Sequence, residues 1–327
     1  MKKVLVACMC VCFLFVAGPA FSAEKKIVLK AAHVTAKEYP YHYGFEVFAK
    51  NLAARTNGRV EVQIFPNGQL AATEREAVES LQTGSLDITV VNASAMTVFT
   101  PRIAIFALPY MFRDLPHFYK AVDGEVGKAI GKDIDSKGLK YLTFYINPPR
   151  GIFTSKRPIK TLADMKGLKH RVIPSPVKVD TFAAFGAIPT PMAYGELYSA
   201  LQQGVVDSGD DVTRGYLSMK FNEVAKYYTL SGHDIIGCPV MISPKVYNSL
   251  PPDIQKAVVE TAYESAVAMR KYFEQAQADD IKAMKGMGVI YSELQDKPNW
   301  MKAALPVQQK YEKDIGKDLM DKVRAIK

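Results

Sequence analysis

Cysteine is scarce where it would matter. Cys8, Cys10 and Cys12 crowd into the first 23 residues, and Cys238 alone lies beyond them. A chain cut near residue 23 therefore has no partner for an internal disulfide, even in an oxidising compartment. Cys238, in the apolar run IIGCPVMI, reads as a small buried hydrophobe and not a nucleophile. The familiar catalytic signatures are missing too. There is no G-x-S-x-G, H-E-x-x-H, C-x-x-C, G-x-G-x-x-G or phosphate-binding loop. The five histidines (His33, His42, His117, His170 and His233) show no metal-ligand spacing. His233 and Asp234 are adjacent, and neighbours on an extended segment point to opposite faces, so a triad pairing is not expected; His233 reads as a structural or cleft-wall residue. Lysines are scattered without a basic block or interleaved aromatics, which argues against nucleic acid as a partner. After the first 23 residues no long apolar stretch remains, so no membrane span is expected.

What is there begins with the leader. Lys2 and Lys3 precede an uninterrupted apolar run from Val4 to Ala17, broken by Gly18-Pro19 and followed by Ala20-Phe21-Ser22. This is the pattern of a secretory signal peptide cleaved after Ser22 or Ala23. Fourteen apolar residues are short for a bilayer, so an uncleaved anchor is the weaker reading. Cys10 and Cys12 lack the small residue that a lipoprotein site needs before its cysteine, and Cys8, although it follows Ala7, lies near the start of the apolar run instead of at its end. Without Lys2 and Lys3 the formal charge falls from 42 − 33 = +9 to 40 − 33 = +7, which favours encounter with anions. The apolar fraction of 48% and charged fraction of 23% are those of a globular protein, and 327 residues suit two domains.

Along the mature chain, Ile27–His33, Val60–Phe65 and Leu86–Val91 read as strands, separated by helices over Tyr41–Thr56 and from a Thr73 cap to Leu81. That β-α-β-α-β order predicts a parallel α/β layer. A helical region follows from Asp114 to about Ser136, then a strand at Lys140–Tyr145. Asn147-Pro148-Pro149 is the clearest punctuation and marks a first crossing between domains. Strands at Gly151–Ser155, Leu168–Val172 and Val205–Ser208, with helices at Ser175–Phe185 and Tyr194–Gln203, compose a second domain. Pro239–Ser243 is a strand that crosses back. Pro251-Pro252 opens a helix running to about Lys285 without an internal Gly or Pro, about 50 Å long and able to touch both domains. A short strand and one or two helices complete the tail.

One region carries the most information. Arg150–Val172 reads RGIFTSKRPIKTLADMKGLKHRV, and Pro189–Gly209 reads PTPMAYGELYSALQQGVVDSG. With Phe48–Leu70, LQTGSLDIT (Leu81–Thr89) and FALPYMF (Phe106–Phe112), these motifs occur in one order that resembles the substrate-binding proteins of tripartite ATP-independent periplasmic (TRAP) transporters, the DctP family. The resemblance covers nearly the whole mature chain. It implies an α/β, two-lobed periplasmic binding protein with a ligand cleft between the lobes and a long helix spanning both. The division it suggests is 1–23 as signal peptide, 24–147 plus about 236–275 as domain I, and 148–235 plus about 276–327 as domain II.

The resemblance also implies a binding site. Arg171, in the strand GLKHRV, is the position that pairs with a ligand carboxylate, and an arginine fork suits two oxygens. Arg150 is the assisting second arginine, and Tyr194, after P-M-A, is the aromatic that packs on the ligand. First-domain contacts map onto Asn92, Glu74 and His33, and His233 is placed on the cleft wall. Asp211 stands where the family often has Asn, so a ligand with an ammonium or hydroxyl group near Asp211 and Glu74 is expected. The implied function is capture of a small organic acid and its delivery to TRAP permease membrane subunits, with no cofactor, no metal and no catalysis. A receptor for an ATP-driven importer and a secreted enzyme of another kind are the alternative readings. Asp207, Asp210 and Asp211 form an acidic turn, but without the spacing of a calcium loop.

Overall fold

The computed structural model describes residues 26–327; the expected signal peptide lies outside the described residues. β-Branched and aromatic runs form eleven strands among them. They are β1 (Ile27–Ala32), β2 (Val60–Phe65), β3 (Ile88–Val90), β4 (Lys140–Asn147), β5 (Gly151–Thr154), β6 (Lys169–Val172), β7 (Ile188–Pro191), β8 (Ser208–Asp211), β9 (Tyr227–Leu230), β10 (Ile236–Ile242) and β11 (Ile290–Glu293). They assemble into two sheets, ordered β2-β1-β3-β10-β4 and β11-β9-β5-β8-β6-β7. Each sheet is flanked by helices, giving two α/β lobes.

The parallel expectation holds for β2, β1 and β3, but β10 runs antiparallel between β3 and β4. The first sheet is therefore mixed, because β10 returns from the other lobe instead of through a helix crossover. β8 begins where the expected strand ended, and β7 and β9 had no sequence signal. β7 reads IPTP, and two prolines in four residues obscure a strand pattern.

The helix Glu74–Thr83 is delimited as the sequence suggested. Thr73 accepts from the Glu76 amide while Glu76 reaches back to the Thr73 amide, and Gly84 ends the helix at φ +77°. The long helix Pro252–Gly286 packs against the helix Pro40–Arg55 and β4 at one end, and against the helix Thr213–Ser218 and β11 at the other. In the first lobe Arg55 meets Glu260 and Glu264, and Arg270 makes a two-pronged pair with Asp123 at 2.6 and 2.8 Å. In the second lobe buried Asp280 accepts from Thr213 at 3.0 Å and pairs with Arg214 at 2.6 Å.

The segments that cross between the lobes are bonded to each other. Arg150 N–H donates to Asp234 O, and Gly232 N–H donates to Arg150 O. The expected assignment of 276–327 to domain II needs correction at its end. Ile315, Leu319, Met320 and Val323 bury into the core of the first sheet, whereas Trp300 and Ala304 pack in the second lobe. The helix Lys317–Ala325 is strongly amphipathic, and its apolar face is covered by the first lobe.

Candidate functional site

Strand ends build the site. Gly151 pairs with Asp211 and Ile152 with Asp210 across β5 and β8, which sets Arg150 directly beside both aspartates. Arg171 lies in β6, flanked by β7 and β8. From the first lobe come Asn92, just after β3, and Glu74, at the start of its helix. Tyr194 opens the turn after β7. Arg150, Asp211, Arg171, Asn92, Glu74 and Tyr194 line one cavity, together with Tyr39, Tyr41 and Asn147. An adjoining cavity shares Val34, Glu74, Arg171 and Tyr194 with it. Both lobes contribute walls.

The two arginines differ. Arg150, 2% exposed, donates through Nε to Asp210 Oδ2 at 2.5 Å, through Nη1 to Asp211 Oδ1 at 3.4 Å, and through Nη2 to the Asp210 carbonyl. Burial would lower its pKa, but the two carboxylates outweigh burial and raise it. Arg171, also 2% exposed, donates through Nε to Met192 O at 3.0 Å and lies over the Tyr194 ring at 5.6 Å. Neither of its terminal nitrogens has a partner among the described residues. Burial lowers the Arg171 pKa, only partly offset by Asp210. A buried guanidinium with its fork unfilled is costly to leave so, and an anion in the cavity satisfies it.

The amides add donors. Asn92 Oδ1 accepts from the Ser94 amide at 2.8 Å, and Asn147 Oδ1 accepts from Tyr39 and Tyr41 at 2.8 and 3.1 Å. Each is left with its Nδ2 unpartnered among the described residues. Glu74 Oε1 accepts from the Asn92 amide at 2.6 Å. Burial raises the Glu74 carboxyl to about 7, against the Asn92 N–H, Arg171 and Arg150, which lower it. Asp211 is held by the protein itself. Its Oδ2 accepts from Tyr194 at 2.5 Å and its Oδ1 from the Val212 amide at 2.7 Å. The carboxylate sits on Gly215, where a Cβ would overlap it. Burial raises its pKa despite Arg150 and Tyr194. The expected free acceptor for a ligand ammonium or hydroxyl is thus already occupied.

Two expected residues are not brought to the cavity. His33 uses both ring nitrogens inside the first lobe, with Thr35 Oγ1 at 2.8 Å and His42 Nδ1 at 3.2 Å, and burial together with His42 holds its pKa down to about 3. His233 is buried behind the site with Nδ1 on Ser231 Oγ at 2.7 Å. Its Nε2 stands 3.4 Å from Asp234 Oδ2, so the adjacent pair does approach, because residues 231–235 are not a regular strand. Asp210, His233 and Asp234 form the described cluster with metal-like spacing. Arg150 and Lys178 already occupy its carboxylates, which disfavours a further cation. Burial would raise the Asp210 carboxyl, but Arg150 and the two flanking histidines hold it well below the usual range. Asp207 turns away to the Lys169 amide, so the acidic turn does not converge. Tyr39, Tyr41 and Asn147 were not anticipated; Tyr41 had signalled a helix start and Asn147 only a turn.

Two α/β lobes enclosing a polar cavity, joined by crossing strands and one long helix, define an extracellular solute-binding protein. The chain belongs to the bacterial extracellular solute-binding proteins, family 7, whose model matches residues 31–314. It is 31% identical over 91% of its length to the C4-dicarboxylate-binding periplasmic protein DctP of Rhodobacter capsulatus, covering 90% of that protein. Two crystal structures of TRAP periplasmic solute-binding proteins superpose closely. One, from Polaromonas sp. JS666 with D-erythronate bound, has a TM-score of 0.89 at 33% identity, covering 92% of this chain and 99% of that one. The other, from Sulfurospirillum deleyianum with succinate bound, has a TM-score of 0.87 at 33% identity and the same coverage.

Proposed function

We propose that this chain is a periplasmic receptor that captures a small organic acid between its lobes and delivers it to the membrane subunits of a TRAP permease. The observation that carries the reading is the unfilled fork of Arg171, buried at the wall of a cavity lined by both lobes. A carboxylate on its terminal nitrogens, with Asn92 and Asn147 donating from the first lobe, bridges the two halves. Such a ligand has higher affinity for the closed form and shifts the lobes toward it. The lobes are 24–147 with 236–275 and 148–235 with most of the tail, hinged at 148–150 and 231–235 and backed by the long helix. The acids bound by the two superposed proteins support a carboxylate ligand. The chain acts by binding and release, without turnover, after export by its cleaved leader.

The test is a thermal-shift screen of protein freed of carried ligand by unfolding and refolding. Small carboxylates are compared with uncharged sugars and amines, since a ligand of the native state raises the midpoint. Shifts confined to carboxylates and lost in Arg171→Ala are expected; shifts with uncharged ligands alone overturn the reading. Intact ligand recovered by mass spectrometry separates a receptor from an enzyme. Uptake into vesicles carrying the permease, dependent on added receptor, tests delivery.

A further inference from the structure

We propose that Asp211 is a specificity-determining residue: by sharing the charge of Arg150 it fits the cleft to acids with one carboxylate and several hydroxyls, and against dicarboxylates. The inference rests on the receptor reading above and goes beyond it to the charge of the solute.

Arg150 faces two carboxylates, Asp210 and Asp211, and is the nearest cation to both. Of the two cations lining the inner cavity, only Arg171 has no carboxylate partner among the described residues. Arg75, which lines the adjoining cavity, is exposed and paired with Glu79 at 2.8 Å. Behind the wall, Lys178 is paired with Asp234, and His170 and His233 both stand 3.5 Å from Asp210. In the cavity wall Arg150 and Arg171 face Asp211, and Asp210, paired with Arg150 just behind the wall, brings the four charges to a net of zero; Glu74 is a further ionisable group in the wall. One carboxylate fills the Arg171 fork. A second meets no uncommitted cation and lies in a small cavity with Asp211 and Glu74. Hydroxyls meet no such penalty, since Asn92 and Asn147 offer amide donors and Glu74 Oε2 accepts.

The geometry at Asp211 shows that the pairing is built in. Tyr194, the Val212 amide and Arg150 all donate to it, Tyr228 donates to its carbonyl at 2.9 Å, and Gly215 leaves room for its carboxylate.

Calorimetry with matched pairs of acids tests this, each pair differing only by CH₂OH against a second carboxylate: D-erythronate with meso-tartrate, and D-galactonate with galactarate. The wild-type protein is expected to prefer the monoacid of the pair it binds by about 100-fold, the scale of an uncompensated like-charge contact. Asp211→Asn is expected to shrink that ratio by about tenfold or more, because Arg150 then keeps one carboxylate partner. Asp211→Ser, smaller and equally neutral, supplies the same readout where the amide disturbs packing. Equal or tighter binding of the diacid by wild type overturns the proposal, as does an unchanged ratio in a folded neutral variant; in both cases the receptor reading stands. If wild-type protein binds no acid of either kind, and none in the wider screen, the receptor reading falls and takes the proposal with it.

Discussion

The phenol of Tyr194 donates to Oδ2 of Asp211 over 2.5 Å, while the same ring lies 5.6 Å from the Arg171 guanidinium carbon. One side chain therefore fixes the paired acid and walls the unpaired base. Tyr194→Phe separates the two roles. It keeps the ring and leaves a buried carboxylate oxygen without its shortest donor, which costs roughly 1–3 kcal/mol of stability. Denaturant unfolding is expected to show that loss with the slope unchanged. Tyr194→Ala removes the wall as well and is expected to weaken carboxylate binding, whereas Tyr194→Phe changes binding far less. Equal binding losses in the two variants would show that the hydroxyl, not the ring, matters to the ligand.

Arg171→Ala removes the anchor. Truncating one partner of a buried charge pair costs on the order of 2–5 kcal/mol, so affinity for the cognate acid is expected to fall roughly 30-fold to several thousand-fold. The free protein should fold normally, since the arginine's terminal nitrogens bond to no protein group among the described residues and only its Nε bond to Met192 O is lost. A tenfold or smaller loss of affinity would assign the anchor elsewhere.

Glu74 predicts a pH dependence with a definite sign. Burial raises its carboxyl from 4.5 to about 7 in the empty protein, so the native state holds this proton more tightly than the unfolded chain. Its contribution to stability is therefore greatest below about 4.5 and is lost as pH rises toward about 7. A bound carboxylate nearby raises Glu74 further, so binding near neutral pH takes up protons and weakens as the solution becomes alkaline. Calorimetry in buffers of different ionisation enthalpy counts that proton. Glu74→Gln is expected to abolish the uptake and flatten the stability profile between those limits. Identical uptake in wild type and Glu74→Gln would place the proton on another group.

The sequence carried the site further than it carried the strands. Arg171, Arg150, Tyr194, Asp211, Asn92 and Glu74 line one cavity, and it is the family resemblance of the motifs around them, not any local pattern, that singles them out in the sequence. His33 and His233 stand in equally suggestive places, but their rings turn into buried hydrogen bonds, and side-chain direction has no signature in composition. Tyr39, Tyr41 and Asn147 were invisible as site residues for the opposite reason. They belong to EYPYHYG and NPP, where turn and helix-start signals dominate, and only tertiary folding brings Asn147 Oδ1 under both phenols. The strand at β10 is visible in the sequence but its antiparallel direction is not, because pairing direction depends on where the chain returns from and not on its local pattern. The commitment of Arg150 to Asp210 and Asp211 likewise follows from tertiary pairing, since adjacent aspartates give no local sign that one arginine takes both.

Lys178 supplies the last prediction. It lies in the helix Pro176–Ala184 of the second lobe, 2% exposed, and its ammonium meets the Asp234 carboxylate and the Ala107 carbonyl, the latter at 2.9 Å. Asp234 sits on the crossing segment and accepts the Arg150 amide through its backbone, so the lysine ties a second-lobe helix to that segment and to the first lobe. Lys178→Met keeps the length and apolar stem but leaves Asp234, 1% exposed, with the His233 ring at 3.4 Å as its one remaining side-chain partner among the described residues. Breaking a buried pair from one side costs about 3–5 kcal/mol, whereas replacing both charges by apolar groups of like volume is often neutral. The single variant is therefore expected to lose much of the stability of the protein. The double variant Lys178→Met, Asp234→Leu should recover most of it, and the difference measures the coupling directly. Additive losses in the double variant would show that the two charges act separately, and that the tie between helix and hinge is one of packing.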